Sequence, residues 1–227
     1  MKPKPYTVLC RLKNWLKCPT SVTSIGDGAF SSWLSSLISI TVDGFNPVYA
    51  SIDGVLFDKS EHTLITYPNG KTASTYVIPP SVTSIGDGAF QVCWNLTSIT
   101  IPPSVTSIGA WPFSLCWSLT SITVDSRNPT YSSVDGVLFD KNIRTLITYP
   151  SGKTAQAYTI PSSVTSIGYS AFQDNHSLTS ITIPSSVTTI GEWAFSGCDN
   201  LTSVTLSRRT SVGQGAFPET ARIIYSD

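Results

Sequence analysis

The chain is built from copies of one unit. PPSVTSIGDGAFQVCWNLTSITI (79–101) is followed without a gap by PPSVTSIGAWPFSLCWSLTSITV (102–124), and PSSVTSIGYSAFQDNHSLTSITI (161–183) runs into PSSVTTIGEWAFSGCDNLTSVTL (184–206). The period is 23 residues. A further copy at 19–42 carries one extra residue after Phe30, and a partial copy fills 207–227. A unit this short cannot cover its own apolar side chains and folds only by stacking on its neighbours. The expectation is therefore one elongated array over 19–227, preceded by a basic cap segment, 1–18.

Each slot of the unit has a physical reading. In LTSITI (96–101), Leu96, Ile99 and Ile101 share one face and Ser98 and Thr100 the other, the alternation of a strand. Pro102 then ends it, because proline brings no N–H to a ladder. In SVTSIG, Val82 and Ile85 point inward and Gly86 permits a turn. The run DGAFQVC is too short for a long helix and is predicted to make one helical or 3₁₀ turn that plants Phe90 in the core. Phe30, Phe90, Phe113, Phe172, Phe195 and Phe217 recur in that slot and are expected to form an aromatic spine along the array.

Two longer units, 43–78 and 125–160, interrupt the series and match each other. Each holds two strand-like runs, GVLFDK and TLITYP, separated by a short polar turn, so each should add a hairpin or an elongated coil.

The pattern I-P-x-S-V-T-x-I-G-x-x-A-F-x-x-C-x-x-L-T-x-I-x-I closely resembles the BspA-type leucine-rich repeat of bacterial and protist surface proteins, over residues 19–217. The DGVLFDK…TLITYP…GKT units are similar to a variant that recurs in that family. The resemblance implies an α/β, β-rich leucine-rich-repeat solenoid: a curved right-handed stack with one parallel sheet, and short helical or 3₁₀ turns on its other side. It also implies a role in adhesion or host-protein binding, at the cell surface or outside the cell.

Charge narrows the function. Lys2, Lys4, Arg11, Lys13 and Lys17 precede every acidic residue, and the remaining 9 basic and 14 acidic side chains leave 18–227 at −5. A basic groove for nucleic acid along the repeats is not expected. No apolar run approaches the length of a membrane span, and Arg11, Lys13 and Lys17 break the only stretch resembling a secretory signal. Neither membrane insertion nor an export signal or anchor is expected within these residues. The termini expose stacking faces, capped by an amphipathic 6–17 segment (Leu9, Leu12, Leu16) and the IIYSD end, so the chain is expected to be a monomer or a weak end-to-end oligomer.

The residue types that carry chemistry do not assemble into a site. Cys93, Cys116 and Cys198 share one slot, three residues after the core Phe, and read as buried thiols, with Asn175 or Leu34 in sister copies. Cys10 and Cys18 lie eight apart, and the sequence leaves open whether they are bridged. PNGKT (68–72) and PSGKT (150–154) lack the phosphate-loop glycine, since Ile65 and Ile147 stand there. His62 aligns with Arg144, and His176 with Trp94, Trp117 and Asp199, so neither occupies a slot reserved for a base. The repeated Asp53/Asp58 and Asp135/Asp140 flank a strand and read as strand-end or turn residues. The Asn-x-Ser/Thr sequons at Asn95, Asn175 and Asn200 follow from the repeat itself. No enzyme activity, metal or cofactor is expected.

Slots in which the copies disagree are where recognition can reside. Before the core Phe they read Asp27-Gly28, Asp87-Gly88, Ala110-Trp111, Tyr169-Ser170 and Glu192-Trp193; after the Cys slot they read Trp94, Trp117, His176 and Asp199. Trp94 and Trp117 should be neighbours on adjacent coils, with Trp111 near and Trp193 further along. Exposed tryptophans make interface anchors, although such rings also serve to cover the edge of a core. The second candidate surface is a hydroxyl ladder, Ser39/Thr41, Ser98/Thr100, Ser121/Thr123, Ser180/Thr182 and Ser203/Thr205, whose regular spacing suits a glycan or ice. A protein partner bound through the tryptophans, with Tyr169, is the leading expectation. Within the array, Phe113→Ala should cost about 3–5 kcal/mol. Hydrogen exchange should show the damage confined to adjacent coils, and uniform loss of protection across 19–227 would contradict the stacked reading.

Overall fold

In the computed structural model, residues 10–12, 14–26, 29–30 and 36–226 are described. Leu9, Asp27, Gly28, Leu34 and the side chains of Cys10 and Leu12 lie outside that set, and with them the 10–18 bridge and most of the amphipathic cap.

The 23-residue offset is met by backbone pairing. Ser98–Ile101 pairs in parallel with Ser121–Val124, residue for residue one period apart, and Ser180–Thr182 does the same with Ser203–Ser207. A second parallel row forms from the SVTSI segments: Ser84–Ile85 beside Ser107–Ile108, and Ser166–Ile167, Thr189–Ile190 and Ser211–Val212 in succession. The chain is thus a β-solenoid of stacked coils. Leu96, Ile99, Ile101, Val82, Ile85 and Phe90 are fully buried, as their slots required.

The corner between the two rows is not a helix, and none exists among the described residues. The amides of Gly88, Phe90 and Val92 donate to the carbonyls of Ala110, Pro112 and Ser114 on the next coil, at 2.8–2.9 Å. Only the alternate amides, Ala89, Gln91 and Cys93, close local turns. A helix needs consecutive local bonds in right-handed backbone. Every second amide is committed to the neighbouring coil, and Gly88 and Val92 are left-handed, with φ of 58° and 64°.

The expectation of one continuous parallel sheet also fails. Among the described residues the strands fall into five sheets, divided where the long units enter. Each long unit is a three-stranded antiparallel meander: Tyr131–Val134, Val137–Asp140 and Thr145–Thr148 in one, Tyr49–Ile52, Val55–Asp58 and Thr63–Thr66 in the other. The hairpin between VLFD and TLIT was legible in sequence; the strand before it was not. Asp135-Gly136, with φ of 50° and 75°, makes the tight two-residue turn that joins that extra strand. The turn is driven against the preceding coil, where Ile122 N–H donates to Gly136 O at 2.9 Å and takes up the ladder bond of a next strand. A Cβ at Gly136 would stand 2.8 Å from Ser121 Oγ.

The middle strand of each meander divides the core. Val137, Leu138 and Phe139 are all buried, yet Leu138 belongs to the core that holds Phe90 and Phe113 while Val137 and Phe139 belong to the one that holds Phe172 and Phe195. Leu56, opposed to Val55 and Phe57, does the same in the first long unit. The result is three apolar cores separated by two septa. Each septum is pinned by a buried asparagine. Asn128 Nδ2 donates to Pro102 O and Val105 O, both at 2.8 Å, and its Oδ1 accepts from Thr130 N and Tyr131 N. Asn46 repeats the arrangement on Pro19 and Val22.

Asn128→Ala would strand the buried Val105 carbonyl and two amides and leave Pro102 O with only the 3.4 Å bond from Val105 N, at an expected cost of about 3 kcal/mol. Urea unfolding measures it, and a loss below about 1 kcal/mol would mean that the septum is held by its apolar strand alone.

Candidate functional site

The slot two residues before the core Phe varies in chemistry but not in conformation. Gly88, Trp111, Ser170, Trp193 and Gly215 are all left-handed, with φ between 47° and 61°. A side chain there carries strain that glycine does not. Trp111 also precedes Pro112, whose ring drives the preceding residue towards extended backbone. The slot is therefore free in residue type and demanding in backbone, which the sequence alone does not reveal.

The rings fall into two groups and one isolated member. Trp94 and Trp117 stack on adjacent coils, centroids 6.0 Å apart and planes within 2°, and remain 42% and 49% exposed. Further along the same slot, His176 Nδ1 lies 3.4 Å from Asp199 Oδ2, so the aromatic pair gives way to an ion pair when His176 is protonated. Trp111 does not join Trp94; it meets Tyr169 edge to face at 5.5 Å, and both are 46% exposed. Trp193 lies over Gly215, where a Cβ would stand 2.6 Å from the indole.

The hydroxyl ladder is in register but short. Ser98 and Thr100 face Ser121 and Thr123, and Ser180 and Thr182 face Ser203 and Thr205, giving two separate blocks two strands wide. Val77 and Thr75 continue the first block on one side, the Gly136 turn closes it on the other, and Arg222 and Ile224 flank the second. The long-range periodicity that an ice or crystalline-glycan surface needs is absent from this face.

The shared cysteine slot is a structural one. Cys116 Sγ donates to Phe90 O at 2.9 Å and Cys198 Sγ to Phe172 O at 3.0 Å, one coil back. Burial pushes the Cys198 thiol up to about 12 and the Cys93 thiol well above its ordinary value, so those two stay protonated at neutral pH and are poor nucleophiles. Asn175 fills the slot with its amide, donating to Ser151 O and Lys153 O.

One feature went unread in the sequence. The aromatic spine is not continuous: it runs Tyr67–Phe90–Phe113 and resumes as Tyr149–Phe172–Phe195–Phe217. The long units carry no Ala-Phe corner and supply Tyr67 and Tyr149 instead, on the downstream side of each gap. A cleft opens at each break, about 430 Å³ between the corners near Trp111 and Tyr169, and about 350 Å³ between those near Phe30 and Asp87. The legible signal was the absence of A-F from both long units.

Fold and surface together define a leucine-rich-repeat β-solenoid with an aromatic flank. The chain belongs to the BspA type leucine rich repeat region family, whose model matches residues 8–125, 66–150 and 149–225 in 6 copies. A leucine-rich repeat protein from Eubacterium ventriosum is similar over 94% of this chain, at 26% identity and a TM-score of 0.55, and this chain spans 60% of that protein. The pneumococcal vaccine antigen PcpA is similar over 94% of this chain and 74% of its own, at 18% identity and a TM-score of 0.54. A search of curated proteins gave no match.

Trp111→Gly removes left-handed strain and the contact with Tyr169 together. The two are each about 1 kcal/mol and opposed, so stability should change by less than ~1 kcal/mol. Thermal unfolding checks this, and a loss above ~2 kcal/mol would show that the indole holds the corner in place.

Proposed function

We propose that this chain is a non-enzymatic interaction scaffold of a surface or secreted protein, and that it holds a protein partner on the aromatic flank of its corners. The observation that carries this reading is the Trp94–Trp117 stack. The two rings sit in a slot that tolerates His176 and Asp199 in the same fold, so the fold does not require them, and they remain nearly half exposed. Pre-stacked indoles lose little conformational freedom on binding and bury large areas, which is what interface anchors do. The family supports the class, since repeat solenoids offer extended surfaces rather than enclosed catalytic centres. Likeness in fold to a vaccine antigen agrees with a position outside the cell.

The full chain, immobilised and screened against extracellular-matrix and host-surface proteins, tests the reading. A bound partner should lose about thirtyfold in affinity to the Trp94→Ala/Trp117→Ala variant, the ~2 kcal/mol of an anchor residue. The melting temperature should move by less than about 4 °C, because exposed rings contribute little to folding. No binding across the panel, or binding indifferent to both substitutions, overturns it.

A further inference from the structure

We propose that the cleft lined by Trp111 and Tyr169, whose rings meet at its rim, is a separate binding site for a neutral pyranose unit of a glycan. It rests on the surface role above for where such a ligand is met, but on different residues. The cleft lies where the second long unit interrupts the spine, and its volume of about 430 Å³ is in the range of small-ligand sites. Trp111 and Tyr169 stand at it from corners 58 residues apart in the chain, and Phe113, Leu119 and Ile147 add apolar surface. Ser114, Ser170, Gln173 and Tyr149 supply hydroxyl and amide groups.

No residue lining this cleft carries a charge. A phosphate, carboxylate or ammonium ligand would find no counterion in that lining, and the Lys153 ammonium nearby already lies over the Tyr149 ring, 5.8 Å from its centroid. A pyranose presents an apolar C–H face to an aromatic ring and, around its edge, hydroxyls that both donate and accept. The cleft combines those two complements.

Two further observations separate this cleft from a mere packing gap. Trp111 is held in left-handed backbone ahead of a proline, in a slot where Gly88 and Gly215 serve the same corner without strain. In the twin cleft, the Tyr67 hydroxyl and both side-chain amide atoms of Asn69 are buried with no hydrogen-bond partner among the described residues, and both residues line that cleft. Asn69 is only 8% exposed. Buried polar groups are almost always satisfied, so Tyr67 and Asn69 have hydrogen-bonding capacity in the twin cleft that no described residue uses. In the second cleft Tyr149, also 2% exposed, occupies the place of Tyr67, while Ser151, in the place of Asn69, donates to Cys116 O at 2.9 Å.

The test uses the full chain on an array of neutral and sialylated oligosaccharides, followed by saturation-transfer NMR with neutral methyl pyranosides. Binding should be confined to neutral glycans. It should weaken at least about tenfold in Trp111→Gly and in Tyr169→Asp, and persist in Trp111→Phe. The Trp94→Ala/Trp117→Ala variant should bind glycan as the wild type does, which separates failure here from failure of the protein-partner reading. No neutral pyranoside bound at millimolar concentration, preference for the sialylated glycans, binding that survives both rim substitutions, or a proline-rich peptide held with the same Trp111 dependence would each overturn the proposal.

Discussion

Everything in this molecule answers to the hydrogen-bond ladder between coils. A 23-residue coil has too few residues to satisfy its own backbone, so its amides look to the carbonyls of the adjoining coils: Thr106 N to Thr83 O, Gly109 N to Ile85 O and Thr120 N to Thr97 O are each bonded at 2.8–2.9 Å. The threonine that follows the core Leu is explained by the same requirement. Thr97, Thr120, Thr179 and Thr202 each donate Oγ1–H to a carbonyl of the preceding coil. These hydroxyls are consumed by the fold, whereas those of Ser98 and Thr100 lie on the outward face of the strand. The ladder also decides the corners, where its demand for every second amide overrides the helical preference of a run such as DGAFQVC and leaves two left-handed residues per turn.

The long units satisfy the ladder differently, and the difference organises the whole chain. A meander cannot continue a parallel row, so its Asp-Gly tip terminates the row with a single carbonyl while its last strand starts the other row again. The run VLF is apolar at three consecutive positions because its strand is covered on both faces. Each septum therefore closes one core and opens the next, and the loss of a side chain in one core reaches the next only through residues such as Leu138. The corner that the long unit omits is the source of the clefts. They are a consequence of inserting a three-stranded element into a stack whose other members each bring a phenylalanine to the axis.

How much of this was readable depended on whether a slot repeats. Leu96, Ile99, Ile101 and Phe90 were placed correctly because recurrence and period-2 alternation specify burial without any knowledge of the path between strands. The stacked Trp94 and Trp117 followed from period alone. The helical corner did not survive, because local spacing carries no information on which amides are claimed by another coil. The single sheet and the single spine failed for a related reason: the long units were recognised as hairpins, but where a hairpin lies relative to the rows is a matter of long-range packing. Asp-Gly between YSSV and VLFD was the missed cue, since that dipeptide favours a two-residue turn with both residues left-handed. The pins at Asn46 and Asn128 stood in plain sight as a shared Asn-Pro, but only the buried carbonyls of Pro102 and Val105 show why an amide is needed there.

The two strained tryptophans make the separation of structure from recognition concrete. Trp193 and Trp111 occupy the same slot with the same left-handed backbone, so they carry a similar conformational penalty. For Trp193 the compensation is visible: the next coil presents Gly215, and the indole lies across it where any side chain would collide. Trp111 has no such neighbour, because the coil that would follow is a long unit without a corner. Its ring reaches instead over the gap to Tyr169 and stays half exposed. The two rings are exposed to a similar degree, 46% and 42%, so identical local geometry yields an indole laid over the next coil in one place and an indole laid over a gap in the other. The long unit, rather than the repeat, opens the gap over which the Trp111 ring reaches.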